Sequence, residues 1–124
     1  MKKVNVEEIV IDGVTYVPKN SNQKAEELNG MPYTMIRTYS AGVHVGYLKS
    51  RKGKEVVLVN SIRIWYWDGA NSISQLAMEG TNKPENCKFA MPLSTPLTLP
   101  EAIEIFECTQ KGKDSIINVP SWKA

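Results

Sequence analysis

The sequence predicts an α+β fold: a mostly antiparallel β-sheet meander with an N-terminal β-hairpin and one or two short helices. Three observations support this prediction. Short apolar runs rich in β-branched and aromatic residues recur along the chain, turn residues separate them, and one segment has clear helical spacing. At 124 residues, the chain has the size of a single domain that buries roughly two thirds of its unfolded surface.

The N-terminal part is expected to form a hairpin followed by a polar linker. Residues 7–17 contain two β-branched runs on either side of Asp12-Gly13, a dipeptide typical of two-residue hairpin turns. Residues 23–28 have the composition of a short helical turn that Asn29-Gly30 would cap. We expect residues 1–30 to stabilise an oligomer and residues 31–124 to form the ligand-binding α+β body.

The centre of the chain predicts consecutive antiparallel strands that form a meander. Strand patterns alternate with turn residues over 33–38, 39–42, 43–49, 51–54, 55–59 and 62–67. Asn60-Ser61 interrupts the last apolar run, so we expect a bulge or bend there.

The clearest helix follows this meander. Asn71 or Ser72 can cap its start, the pattern continues to Met78, and Gly80 ends it. Three apolar residues at helical spacing would face the core: Ile73, Leu76 and Ala77.

The C-terminal third has weaker patterns. Residues 87–91 indicate a strand, residues 92–100 contain three prolines and predict an irregular segment, and residues 113–119 predict a short helix. Residues 101–109 favour a strand, with a helix as the alternative.

Composition and charge exclude several classes of function. The net charge of +2 is too small to indicate long nucleic acid as a partner. The longest apolar stretch, 56–59, is far too short to span a bilayer, and the N-terminus lacks the apolar segment of a secretory signal. These features predict a cytoplasmic protein, in which Cys87 and Cys108 would be reduced and partly buried, with a disulfide as the open alternative.

The sequence offers few groups for catalysis. His44 is the single histidine, so no multi-histidine metal site can form. The glycine-rich phosphate-binding motifs of nucleotide-dependent enzymes do not occur. We therefore expect a protein that is not an enzyme and that needs no metal or cofactor.

The segment 62–67 is the strongest indication of a ligand. In a strand, Arg63, Trp65 and Trp67 would share one face, opposite an apolar face formed by Ile62, Ile64 and Tyr66. A guanidinium between indole rings suits a flat, anionic ligand such as a nucleotide. The alternative is that both tryptophans fill a second core or a subunit interface.

A second group of candidate residues lies around the turn 39–42, before the predicted strand 43–49, and near residue 88. Arg37 and Ser40 can donate hydrogen bonds to phosphate, and Gly42 and His44 would line the same pocket rim. Lys88 stands beside Phe89, a ring that could stack on a base. The alternatives are a tight hairpin turn with Gly42 at positive φ, and a core position for Phe89.

Three blocks of the chain resemble a family of small bacteriophage proteins that act as Thoeris anti-defence sponges. These blocks are RTYSAGVHVGYL (37–48), IRIWYWDGANSISQLAMEG (62–80) and PENCKFAMPL (84–93), and the resemblance spans about residues 35–117. It implies a nucleotide-binding protein in the host bacterial cytoplasm that does no chemistry. Such a protein would sequester the glycocyclic ADP-ribose isomers that a TIR-domain enzyme makes on infection, away from the downstream effector.

The resemblance also implies how the site is built. Ligand pockets in the family lie between protomers of a homo-oligomer, and some members also bind cyclic oligonucleotides. Adenine would stack on Phe89, Trp65 or Trp67, and Arg37, Arg63 and Lys88 would neutralise phosphates. Two other functions remain open: a phage protein that blocks a host protein through its tryptophans, and an enzyme that degrades the signal with His44 as general base.

Overall fold

The computed structural model describes residues 10–11, 14–15 and 23–123, and it has the predicted α+β fold. The strands are β1 (Val10–Ile11), β2 (Val14–Thr15), β3 (Tyr33–Thr38), β4 (Val43–Lys52), β5 (Glu55–Tyr66), β6 (Lys88–Phe89), β7 (Leu97–Leu99) and β8 (Ala102–Glu107). The helices are α1 (Ile73–Glu79) and α2 (Gln110–Ile117), and a 3-10 turn covers Pro84–Asn86. No helix among the described residues is long and apolar enough to cross a membrane.

The main sheet is the predicted meander, formed by β3, β4 and β5, with β6, β7 and β8 added at its edges. Its strand order is β6-β5-β4-β3-β8, all neighbours are antiparallel, and β7 also pairs with β5. β6 and β7 pair with opposite ends of the twelve-residue β5, at Ile64 and Val56 respectively. The prediction of an irregular segment over 92–100 therefore missed β7. This strand lies at the sheet edge, where neighbouring prolines are tolerated.

The predicted hairpin near the N-terminus is present where the structure describes it. β1 and β2 pair antiparallel, with Val10 opposite Thr15 and Ile11 opposite Val14. The remaining parts of this prediction, residues 7–9, 12–13 and 16–17, lie outside the described residues.

Residues 23–31 do not form the helical turn that the sequence predicts. Leu28 and Met31 exchange two backbone hydrogen bonds of 3.0 and 2.9 Å across a turn in which Asn29 and Gly30 both have positive φ, 52° and 82°. Two consecutive positive φ values are typical of a tight hairpin turn, so Asn29-Gly30 reverses the chain instead of ending a helix.

The same segment is bonded to the body of the protein. The backbone N–H of Ala25 donates to the carbonyl of Cys108 at 3.0 Å, and the N–H of Gln110 donates to the carbonyl of Gln23 at 2.8 Å. Ala25 is buried in the main core. Residues 23–25 are therefore bonded to the body, which the sequence predicts to begin at residue 31.

The predicted bulge at Asn60-Ser61 is confirmed. Val45 pairs with Ile62 and Tyr47 pairs with Val59, so β5 has one extra residue at this point, and Asn60 has a φ of 54°. The bulge presses β5 against β4: a Cβ on Gly46 would lie 2.9 Å from the Cα of Ser61. Only glycine fits this position, because any side chain would meet backbone.

A second register shift, at the end of β5, changes which side chains face the core and which face solvent. Ile64 pairs with Phe89 but Tyr66 pairs with Lys88, so Trp65 is the extra residue. Tyr66 is 52% exposed, and Trp67 packs against the core. The predicted alternation holds from Ile62 to Trp65 and is wrong for the next two residues, because a bulge moves later side chains to the other face.

Two clusters of buried residues hold the sheet. The main core packs against both helices, and the second cluster joins residues of β3, β5, β7 and β8. The largest buried side chains of the main core are Tyr33, Met35, Ile64, Leu76, Phe89 and Ile116. The second cluster contains Ile36, Val56, Leu58, Leu99 and Ala102.

Capping residues define the start of both helices and the end of α1. Ser72 caps α1 by accepting from the N–H of Gln75 and Gly80 ends it, as predicted. Thr109 caps α2 by accepting from the N–H of Gly112, so this helix begins three residues earlier than the predicted residue 113. Gly112 is needed because a Cβ there would collide with the carbonyl of Ala77 in α1.

Candidate functional site

The carbonyl oxygen of Ala41 is the centre of the candidate site. It accepts hydrogen bonds from Nη1 of Arg63 and from Nε2 of His44, both at 2.9 Å. His44 on β4 and Arg63 on β5 are paired in register, so their side chains leave the same face of the sheet. The turn before β4 therefore folds over two side chains that the sheet itself aligns.

Thr38 and Gly42 fix the shape of that turn. The hydroxyl of Thr38 donates to the carbonyl of Gly42 and accepts from the N–H of Ala41, each at 2.8 Å. Gly42 has a φ of 86°, as the tight-turn alternative predicted, and a Cβ there would lie 3.8 Å from Nη1 of Arg63. The backbone of Gly42 is thus close to the guanidinium.

Trp65 provides an open aromatic surface beside this cation. Its side chain is 61% exposed, and Cζ of Arg63 lies 5.5 Å from the centroid of the indole ring. Apart from Nη1, the guanidinium N–H groups make no hydrogen bond within the described part of the chain. Arg63 therefore presents donors to solvent while its position is fixed by Ala41 and Trp65.

His44 is a buried positioning residue. Its side chain is 1% exposed, and Nδ1 has no hydrogen-bond partner among the described residues. Burial lowers the pKa of the imidazole and the charge of Arg63 lowers it further, against the opposing hydrogen bond to Ala41. The neutral ring donates through Nε2 and holds the turn, so His44 lies beneath the candidate site instead of lining it.

The structure separates Arg37 and Ser40 from this group. Arg37 pairs with Val43 and so points to the face opposite His44, where its Nε donates to Glu104 at 2.8 Å. Ser40 is exposed on the turn and donates to the carboxylate of Glu101 at 2.9 Å. Neither side chain joins Arg63 and Trp65, because strand alternation and acidic neighbours direct both elsewhere.

Phe89 is a core residue, and Trp67 is half-buried against the same core. Phe89 is 1% exposed, and Trp67 packs against the cluster to which Phe89 belongs. The expectation that Phe89 offers a stacking surface is corrected by this burial, since a base cannot reach a ring covered by the core, whereas Trp67 keeps only part of its surface open. Pairing with Ile64 places Phe89 on the core face of the sheet.

Lys88 is exposed and has an aromatic partner that the sequence did not suggest. Its Nζ lies 5.3 Å from the ring centroid of Trp122, which is 43% exposed. The C-terminal segment is held beside β6, because the N–H of Trp122 donates to the carbonyl of Phe89 at 2.8 Å. The signal that could have identified Trp122 is an apolar ring in an otherwise polar C-terminal segment.

Both cysteines are free and buried, as predicted. Burial raises the pKa of the Cys108 thiol to about 12, with a smaller contribution from the neighbouring carboxylate of Glu107. Within the described ranges, no group of three or more His, Cys, Asp or Glu side chains is arranged to hold a metal ion. The arrangement of Arg63, Trp65 and the Ala41 turn suits binding of an anionic aromatic ligand.

Comparison with known proteins gives one match. The family model described as a domain of unknown function, DUF6948, matches residues 31–116, which is more than half of the chain. Neither the curated proteins nor the solved structures contain a match.

Proposed function

We propose that this protein, which belongs to the DUF6948 family of unknown function, is a non-catalytic phage anti-defence sponge. It sequesters cyclic ADP-ribose isomers made by a TIR-domain enzyme in the host cytoplasm and so blocks the Thoeris effector. The observation that carries this proposal is the exposed indole of Trp65 with the guanidinium of Arg63 5.5 Å from its ring centroid.

This pair matches the two chemical features of the signal. The adenine ring can stack on Trp65, and the pyrophosphate can accept from the N–H groups of Arg63 that face solvent. Because Nη1 of Arg63 is held by the carbonyl of Ala41, the guanidinium is in position before the ligand arrives. Preorganisation of this kind lowers the entropic cost of binding.

The buried state of the reactive side chains supports a role in binding instead of catalysis. His44, the single histidine, is enclosed and engaged with Ala41, so a substrate in solution cannot reach it as a general base. The raised pKa of Cys108 disfavours the thiolate that nucleophilic catalysis needs. A protein with these properties is suited to holding a signal without changing it.

Tight sequestration favours a homo-oligomer. A nanomolar dissociation constant needs about 12 kcal/mol, and small ligands reach such values when they are largely enclosed. Trp65 is 61% exposed in the single chain, so one protomer covers only one face of a stacked base. We therefore propose that a second protomer closes the pocket over Arg63 and Trp65.

The test is calorimetric titration of the full-length protein with glycocyclic ADP-ribose isomers. The bound ligand is then released by heating and identified by chromatography. We expect saturable binding with intact ligand recovered, and we expect Trp65→Ala to weaken binding roughly 5- to 100-fold, the value of one base stacked on an aromatic ring. Lys52→Ala, a change at the exposed hairpin tip, serves as the matched surface control.

Two results would contradict the proposal. Absence of heat with every isomer would remove the sponge function, and recovery of a shortened or opened nucleotide would indicate an enzyme. Equal affinity of the wild type and Trp65→Ala would leave sequestration intact but move the pocket away from Arg63.

A second candidate function is a protein that blocks a host protein through an apolar surface. Exposure of Trp65, Tyr66 and Met91, at 61%, 52% and 60%, favours it, because exposed aromatic and methionine side chains are common at interface centres. Such a protein would bind no isomer in the titration, and a host partner that it captures would be lost when Trp65 is changed to alanine.

A further inference from the structure

Lys88 and Trp122 form a second cation–indole pair next to the first. The Nζ of Lys88 lies 5.3 Å from the ring centroid of Trp122, a distance similar to the 5.5 Å between Arg63 and Trp65. All four residues leave part of their surface open: Arg63 is half-buried, and the other three side chains are exposed. A cation beside an indole ring therefore occurs twice, at similar distances.

Strand pairing places the two pairs on one face of the sheet edge. Tyr66 and Lys88 are opposite each other in the β5–β6 ladder, so they share a face. Ser121 forms a parallel bridge with Phe89, which makes the C-terminal segment the next position outward from β6. The order across the edge is β5 with Trp65, β6 with Lys88 and the terminal segment with Trp122.

We name these five side chains the edge row: Arg63, Trp65, Tyr66, Lys88 and Trp122. Neighbouring strands are about 4.8 Å apart, so two strand positions separate the elements that carry the indoles by roughly 10 Å. The row contains two cations and three aromatic rings. A single stacked base covers one indole, whereas a ligand with two bases can cover both and place its phosphate beside Lys88.

We propose that Lys88 and Trp122 form a second nucleobase subsite, so that the edge row binds a dinucleotide with one base on each indole. This inference rests on the proposed function for its assignment of Trp65 as the first stacking ring. Tyr66, which the bulge at Trp65 turns onto the same face as Lys88, lies directly opposite Lys88 and adds aromatic surface beside Trp65.

The test is calorimetric titration of the full chain with the linear dinucleotide 5′-pApA and with adenosine monophosphate. We expect the wild type to bind the dinucleotide roughly 5- to 100-fold more tightly, the factor that one additional stacked base supplies. Trp122→Ala should remove this preference, because the dinucleotide can then stack only one base, on Trp65. Trp122→Phe, which keeps a stacking ring, should retain most of the preference.

The outcomes separate this inference from the proposed function. Binding of a glycocyclic ADP-ribose isomer without a preference for the dinucleotide would overturn the second subsite and leave the sponge function standing. A dinucleotide preference that depends on Trp122, without isomer binding, would support the second subsite and overturn the sponge function. A preference that survives Trp122→Ala, or no binding of either probe, would overturn the edge row as a two-base surface.

Discussion

Phe89 directly follows Lys88 and Trp65 lies two residues after Arg63, but the fold gives the two rings opposite environments. Phe89 pairs with Ile64 on the core face and is enclosed, whereas Trp65 is the extra residue of a bulge and is mostly exposed. A ring in the core contributes to stability, and a ring on the surface is available to a ligand. The two positions therefore respond differently to the same substitution.

We predict that Phe89→Ala destabilises the fold instead of selectively removing a ligand contact. Truncation of a fully buried phenylalanine costs about 3–5 kcal/mol of unfolding free energy, because apolar surface is lost and a cavity remains. Trp65→Ala, at an exposed position, should change the unfolding free energy by only about 0.5 kcal/mol. Urea unfolding followed by circular dichroism measures both, and a Phe89→Ala variant as stable as the wild type would refute the buried position.

His44 gives the fold a dependence on pH. Burial, the largest cause, and Arg63 lower its pKa in the folded state below the ordinary value of 6.5. As pH falls through 6.5, the unfolded chain therefore binds a proton that the folded chain resists. This contribution destabilises the fold progressively from that pH down to the lowered pKa, and it disappears above neutral pH.

We predict that the wild type loses more stability than His44→Gln between about pH 7.5 and about pH 5.5. Glutamine can still donate to the carbonyl of Ala41 but does not titrate, so it is the matched control. Unfolding free energies from urea titrations at both pH values make the comparison. Parallel losses in the two proteins would show that His44 is not the group responsible.

At the scale of elements, β5 brings the candidate site together through its two irregularities. The bulge at Asn60 changes the register with β4, and the next residues place Arg63 opposite His44. The bulge at Trp65 then turns Tyr66 outward and Trp67 inward. A regular strand would have placed Trp65 and Trp67 on one face, as the sequence pattern suggested, and would have buried Tyr66.

The turn between β3 and β4 completes the site at the same scale. The hydroxyl of Thr38 bonds to the backbone of the turn, and the carbonyl of Ala41 accepts hydrogen bonds from both His44 and Arg63. The residues that the sequence assigned to the ligand pocket thus have different roles. Arg63 faces the candidate ligand, while His44 and Gly42 fix the turn that orients it.

At the scale of the whole molecule, the N-terminal boundary of the body is the clearest point to test. Residues 23–30 bond to the start of α2 and to the end of β8, and Lys24 forms an exposed ion pair of 3.0 Å with Glu107. Exposed ion pairs contribute little, so the backbone hydrogen bonds and the buried Ala25 hold this segment.

We predict that a chain of residues 23–124 unfolds as cooperatively as the full protein, whereas a chain of residues 31–124 is about 1–3 kcal/mol less stable. Thermal and urea unfolding of the two truncated proteins give this comparison. Equal stability of both would return the boundary to residue 31. Light scattering of the same proteins tests the expectation that the N-terminal residues stabilise an oligomer, which predicts a smaller assembly for both.

The sequence by itself determined the fold class, the strands over 33–38 and 43–66, the first helix with both of its caps, and the bulge at Asn60. Local chemistry controls these features: alternation of apolar residues, a serine that caps N–H groups, and glycines that accept positive φ. The same local reasoning identified Arg63 and Trp65 as a cation and a ring on one face.

Only the tertiary structure decided which aromatic residues remain open to a ligand. The burial of Phe89, the half-buried position of Trp67 and the exposure of Tyr66 and Trp122 depend on a register shift and on a C-terminal segment that returns to the sheet edge. The pairing of β7 with β5 and the attachment of residues 23–31 have the same origin. These features rest on contacts between residues far apart in the chain, which no local pattern encodes.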